Sequence, residues 1–259
     1  MRAVSTVAAL GQGLLELLYP RRCFLCERPL APGKGFNCIC DGCLGSLAPL
    51  GPPICERCGA PLADEELDLC LECANRERAF DLARSYGLYE GSLAELIQGL
   101  KYERERALAR PLARLLLQAE EPILSRAEVL TFVPMTRDGL RKRGFNQAQL
   151  LARELGRLTG LPVIAALRKT RRTADQTQLK LPERRENVRG AFAARRPAPA
   201  EAERIALIDD VYTTGATAEE CSAALREAGY KEVYVLTVAR SRLGPSGPGP
   251  GPRSEEGQQ

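Results

Sequence analysis

Leu207-Ile208-Asp209-Asp210-Val211-Tyr212-Thr213-Thr214-Gly215-Ala216-Thr217 is the stretch that decides the fold of this 259-residue chain. An apolar run ends in two adjacent acids, crosses a turn of threonines and one glycine, and enters a helix. The turn from Thr213 through Thr214, Gly215 and Ala216 to Thr217 offers backbone N–H groups, hydroxyls and the positive end of a helix to a phosphate. Gly215 lets the backbone come close to the anion. The carboxylates of Asp209 and Asp210 can accept hydrogen bonds from ribose hydroxyls. Taken alone, the acid pair also fits a solvated strand end that caps a helix, and it is the whole string that points to a phosphorylated ribose.

Outward from this loop the chain alternates strands and helices. Arg204 to Ile208 reads as the strand entering the loop, Thr217 to Ala228 as the helix closed by Gly229, and Glu232 to Ala239 as the next strand, which together make a βαβ unit. Upstream, strands are expected at Ser85 to Tyr89, Glu128 to Pro134 and Pro162 to Leu167. Helices are expected at Ser92 to Leu100, at Arg106 to Ala119 with Pro111 near its first turns, and at Asn146 to Leu158, stopped by Gly160. Thr136 to Gly144 reads as a basic loop and Arg168 to Val188 as a long mobile loop. The fold class is therefore α/β, a mostly parallel sheet flanked by helices over residues 80–242, with ligand sites at the carboxyl ends of its strands. Residues 243–259, rich in Gly and Pro, read as a disordered tail.

Nine of the ten cysteines lie between Cys23 and Cys73, and eight of these form four C-x-x-C pairs: Cys23/Cys26, Cys40/Cys43, Cys55/Cys58 and Cys70/Cys73. Two tetrahedral four-cysteine zinc sites consume all eight. Residues 20–76 have few apolar residues of their own and need a metal to fold, so they read as a small double zinc ribbon. Sequential pairing, first with second and third with fourth, is favoured, with Cys38 a spare, partly buried thiol and Cys221 a packing residue. Sites made only of thiolates leave no position for water and are structural.

Composition narrows the rest. Net charge is +4 and the chain has no His and no Trp, so neither the overall field nor an aromatic platform of the usual kind predicts nucleic-acid binding. The missing His removes the commonest general base. The apolar stretch from Val4 to Leu18 is broken by Gly11, Gly13 and Glu16. Residues 1–19 thus read as a short amphipathic helix able to touch a membrane surface or a partner, rather than a signal peptide or a span. That makes the expected compartment the cytoplasm, with the inner face of the membrane as a place of association, and a reducing compartment favours thiolate ligands over disulfides.

The string from Leu207 to Thr217 resembles the PRPP-binding motif of type I phosphoribosyltransferases. That resemblance implies a PRPP site with magnesium, the two acids on the ribose 2′ and 3′ hydroxyls and the turn on the 5′-phosphate. Tyr212 stands where that family commonly has an aliphatic residue. After the expected second strand, Val133-Pro134-Met135-Thr136-Arg137-Asp138-Gly139-Leu140-Arg141-Lys142-Arg143-Gly144-Phe145-Asn146-Gln147 sets Arg137, Arg141, Lys142 and Arg143 together, four cations suited to a pyrophosphate. The same string is similar to the characteristic segment of the ComF family. So are Leu100-Lys101-Tyr102, the series Thr173, Gln176, Leu179, Arg184, Asn187, Val188, Ala191 and Phe192, and the four cysteine pairs, a resemblance reaching from Leu14 to Arg240. Glu103-Arg104-Glu105 follows Lys101-Tyr102 where the family usually has Gly.

Two functions follow from these likenesses. As an enzyme, the chain would use Asp209, Asp210, Arg137 and Lys101 in a phosphoribosyl transfer whose acceptor no stretch identifies. As a binding protein of natural transformation, it would handle single-stranded DNA beside a helicase-like competence ATPase, its Arg-rich segments at Arg141 to Arg143, Arg168 to Arg172 and Arg184 to Arg189 meeting phosphates.

Overall fold

The computed structural model describes residues 21–30, 36, 38–119, 121–171, 173, 186–199 and 201–242; the helix expected at 1–19, the tail 243–259 and most of the expected loop lie outside them. Four strands form one parallel sheet in the order β1-β6-β5-β2: β1 Leu82–Leu88, β2 Val129–Phe132, β5 Arg204–Tyr212 and β6 Glu232–Arg240. A second, two-stranded antiparallel sheet joins β3 Leu167–Lys169 to β4 Phe192–Ala194. Strands buried on both faces carry unbroken apolar runs, which is why Ile205-Ala206-Leu207-Ile208 sits in the middle of the sheet without a polar residue.

One face of the sheet is covered by α3 Gly91–Lys101, α4 Ala109–Ala119 and α7 Gln147–Thr159, through Leu96, Ile97, Leu112, Leu116, Leu151 and Leu155. The other is covered by α8 Ala216–Glu227 and the small sheet, through Leu225, Cys221, Leu167 and Phe192. The expected parallel sheet flanked by helices is present. A short α5, Glu121–Leu124, follows α4.

Several boundaries differ from the sequence reading, each for a local reason. Thr136 to Gly144 is not a loop. It holds the helix α6 Arg137–Arg143, started by the Thr136 hydroxyl accepting the Gly139 N–H at 3.1 Å and ended by Gly144 at φ +83°. Three cations in its last turn, Arg141, Lys142 and Arg143, sit where the helix dipole favours them. Pro162 to Leu167 is not a strand: only Val163 bridges to Leu130, and the real strand β3 begins at Leu167. Because β3 runs on into the expected long loop, Lys169 is fixed within a sheet. The segment before α4 opens as a tighter 3₁₀ turn over Arg106–Leu108, which places Pro111 in the first turn of α4, where its missing N–H is tolerated. Strand β5 runs past Ile208 to Tyr212, so both acids belong to the strand itself.

The N-terminal part is built twice from one plan. A hairpin bridge, Arg22↔Pro29 in one ribbon and Ile54↔Pro61 in the other, encloses a C-x-x-C turn, and a short helix begins just after the other pair's first cysteine: α1 Asp41–Gly45 after Cys40, α2 Leu71–Asn75 after Cys70. The two copies pack on opposite faces of the large sheet. Cys23, Phe36 and Ile39 join the core under α3 and α4, while Cys55, Cys58 and Cys73 join the core under α8.

Candidate functional site

The site lies where β5 and β2 end and α8 and α6 begin. Alternation along β5 sends the two acids to different neighbours. Asp210 meets Lys101, the last residue of α3, with Nζ 2.9 Å from Oδ1, and both side chains are nearly closed off from solvent. Burial alone would lower the Lys101 pKa, but Asp210 and its hydrogen bond hold it above the usual value. The other oxygen of Asp210, Oδ2, is buried with no hydrogen-bond partner. Asp209 accepts the Asp210 N–H at 2.9 Å. Its own carboxyl is pushed up to about 7, first by burial and then by the neighbouring Asp210, against the pull of Lys101 and Lys169.

Lys169 is the residue that sequence reasoning missed. The sequence places it in a long mobile loop, whereas pairing of β3 with β4 brings it over Phe192 at 5.4 Å, within the field of Asp209. Nothing local in the sequence announces the antiparallel pairing with Phe192.

The loop itself is shaped from beneath. Gly215 has φ +75°, and a Cβ there would fall 2.1 Å from the Tyr212 hydroxyl, so the position admits only glycine while Tyr212 stays in place. The Thr214 hydroxyl accepts the Ala216 N–H at 3.3 Å, with Ala216 the first residue of α8. Thr213 and Thr217 are half-buried at the two ends of the turn. Tyr212 turns away from the loop's open side, edge-on to Phe80 with ring centres 6.4 Å apart.

The four expected cations are not one cluster. On a helix, Arg137 and Arg141 share a face, and Arg143 lies on another. Arg141 pairs with Asp138 at 3.3 Å. Arg143 donates to Gln147 Oε1 at 2.9 Å and stacks 5.3 Å from the ring centre of Tyr102, which is 57% exposed. Arg137 and Lys142 are exposed. Asn146 ties the end of this segment back to β2 by donating to the Val133 carbonyl at 2.9 Å. Arg104, in the turn where the family resemblance leads one to expect Gly, takes φ +59° and donates to the Lys142 carbonyl at 3.1 Å.

In the ribbons, the sulfurs of Cys23, Cys26, Cys40 and Cys43 form one set and those of Cys55, Cys58, Cys70 and Cys73 the other, all within 4.8 Å of one another. The pairing is sequential, as expected. Sulfur separations of 3.8 Å for Cys26 and Cys40 and 3.7 Å for Cys58 and Cys70 are far too long for disulfides. They match the edge of a tetrahedron whose Zn–S bonds are about 2.3 Å, an edge of about 3.8 Å. Cys23 is buried, yet its pKa is lowered to about 6 because the N–H groups of Cys26, Cys40 and Leu25 converge on its sulfur; Cys55 is lowered to about 7 by Cys58, Cys70 and Arg57 in the same way. One sulfur in each set is thus held toward the thiolate that zinc needs, while burial pushes the thiols of Cys43, Cys58 and Cys73 up. Cys38 lies outside them, its thiol pushed up to about 11 by burial, then by Glu105 and Cys23. Cys221 is buried against the sheet and its thiol is raised by that burial.

Residues 14–74 match the double zinc ribbon domain. The chain is 33% identical to competence protein F of Haemophilus influenzae over 229 residues, covering 85% of this chain and 97% of that one. It is 30% identical to the DNA utilization protein YhgH of Escherichia coli (strain K12) over 232 residues, 87% and 99% of the two chains. Competence protein ComFC of Bacillus subtilis is 27% identical over 248 residues, 89% and 98% of the two. Among solved structures, the glutamine phosphoribosylpyrophosphate amidotransferase of B. subtilis, complexed with ADP and GMP, aligns with TM-score 0.34 and 28% identity over 50% of this chain and 25% of its own.

Proposed function

The chain belongs to the ComF family of competence and DNA-utilization proteins, and from there we propose that its acid-pair cleft binds PRPP or a related ribose-phosphate with magnesium, in the service of DNA uptake during natural transformation. One observation carries the reading: Asp210 Oδ2 is buried with no partner at the carboxyl end of the strand that feeds the Thr213 to Thr217 turn. A buried carboxylate oxygen without a donor is costly, and a ribose hydroxyl supplies the donor. Asp209 and Asp210 take the 2′ and 3′ hydroxyls, the turn and the first N–H groups of α8 take the 5′-phosphate, and Arg137 with Arg141 faces the pyrophosphate. Lys101 neutralises Asp210 until a ligand arrives. The two acids also suit a divalent cation held mainly by the ligand's oxygens, and magnesium there would spread the charge of the pyrophosphate. The reading adds a cytoplasmic location and a helicase-like competence ATPase as partner.

The single-stranded DNA part of the reading draws on one surface. Tyr102 stands exposed beside Arg143, one residue beyond Lys101, and nearby Arg104 donates to the Lys142 carbonyl. An aromatic face among cations suits a stacked base between phosphates.

Titration calorimetry with PRPP and magnesium tests the cleft. Heat is expected for the native protein and none for Asp209→Ala/Asp210→Ala; no heat from the native protein overturns the reading. Pyrophosphate release across a panel of bases then separates transferase from binder. For DNA, anisotropy of a labelled oligonucleotide should fall with added salt and weaken in Tyr102→Ala.

A further inference from the structure

The second cysteine set is bracketed by two arginines that have left the surface. The Arg78 side chain is 1% exposed and Arg240 is fully buried. Arg240 donates from Nη1 to the Cys58 carbonyl at 2.6 Å, and Arg78 contacts the Cys73 thiol. The Nε of each and the Nη2 of Arg240 are buried with no hydrogen-bond partner. The first set has nothing comparable among the described residues: Arg21, Arg22, Arg28 and Arg114 are all exposed.

Zinc held by four thiolates carries a net charge of −2, and a buried centre of that charge needs cations close by. The guanidiniums of Arg78 and Arg240 set positive charge against it, joined by Arg84, whose Nη1 donates to the Cys55 carbonyl at 3.5 Å, and the orphaned N–H groups of Arg78 and Arg240 are donors that thiolate sulfurs accept. Glu72 and Glu219 lie near Arg78, at 3.0 and 3.8 Å, and Arg76, 3.6 Å from Glu219, offsets part of their charge.

Both arginines also reach the phosphate loop. The Arg240 guanidinium lies 4.9 Å from the centre of the Tyr212 ring, and the Tyr212 hydroxyl is the group packed beneath Gly215. Arg78 approaches Glu219 in the first turn of α8. We propose that Arg78 and Arg240 are the charge-balancing outer partners of the second four-cysteine zinc centre, and that through Tyr212 and Glu219 the presence of that zinc sets the conformation of the loop from Val211 to Thr217.

Zinc transfer from the full-length protein to a chromogenic chelator tests the first half. The native protein should release zinc in two phases, and Cys26→Ser, which breaks the first set, assigns the fast one. Arg240→Met should accelerate the slow phase by about 10- to 100-fold, the usual cost of losing a metal ligand's outer partner, and leave the fast phase unchanged. Arg78→Met gives the same test if the first variant does not fold, and Arg114→Met, near the first set, should alter neither phase. An unchanged slow phase, or equal acceleration of both, overturns the assignment. Hydrogen exchange tests the second half. Amides from Val211 to Thr217 should exchange faster once the slow zinc is removed and recover when it is restored; unchanged exchange overturns the coupling. Neither readout involves a ribose-phosphate, so failure here is separate from failure of the proposed ligand.

Discussion

Phe24, in the turn of the first cysteine knuckle, rests on the bare backbone of Gly99: a Cβ on that glycine would lie 2.3 Å from the Phe24 ring and 2.9 Å from Leu108. Gly99 is two residues ahead of Lys101 on α3, so the first ribbon presses on the helix that delivers the lysine. Gly99→Ala would ordinarily favour a helix, by about 1 kcal/mol. Here the contact should reverse the sign, with a net loss of about 1–3 kcal/mol in urea unfolding. In the Gly99→Ala/Phe24→Ala double variant the alanine at 99 should cost much less than it does alone, because the ring is gone.

Lys101 and Asp210 form the buried ion pair of the site. Lys101→Met leaves the Asp210 carboxylate buried without its cation, a change worth about 3–5 kcal/mol. Lys101→Met/Asp210→Asn removes both charges and should recover much of that loss. Denaturant midpoints of the four proteins in zinc-replete buffer give the coupling, and additive effects would mean that the pair is not formed in solution.

Asp209 predicts a pH dependence. Its folded carboxyl keeps the proton up to about 7, whereas the unfolded group releases it near 3.8. Between those values the folded chain binds more protons than the unfolded one, so this group's contribution to stability is full below about pH 4 and falls away as pH rises to about 7. Asp209→Asn cannot ionise and should melt at a higher temperature than the native protein at pH 8, with the gap closing toward pH 4. It should also bind ribose 5-phosphate less tightly. A gap that does not change with pH would show that Asp209 ionises freely in the fold.

The stretch from Leu207 to Thr217 was legible because its chemistry is local: an apolar run, two acids and a Gly-containing turn announce a strand, a site and a helix in order. The cysteine sets were legible because C-x-x-C spacing is itself the knuckle. What escaped was set by tertiary contacts. Thr136 to Gly144 looked like a loop because its charges hide the helical period, and only Thr136 and Gly144, acting as its caps, reveal α6. Lys169 was unreadable as a site residue because its place depends on pairing with Phe192, some twenty residues on. Tyr212 looked like a small departure at the loop, and its role under Gly215 needed Phe80 and Arg240 to be placed first.

Metal analysis should find two zinc ions per chain, and loss of one ligand should affect the two ribbons unequally. Cys26 is exposed and its set lies partly at the surface, whereas Cys55, Cys58 and Cys73 are buried in the core beneath β5 and α8. Cys26→Ser should therefore lose one zinc and unfold little beyond the first knuckle. Cys58→Ser should lose the other and carry with it the packing of Tyr212, Phe80 and Arg240, with a fall in melting temperature several times larger. Cys38→Ala should keep both ions, since its raised, neutral thiol lies outside both sets. Equal destabilisation by Cys26→Ser and Cys58→Ser would mean that both ribbons are equally bound into the α/β core. Loss of zinc in Cys38→Ala would make that thiol a ligand.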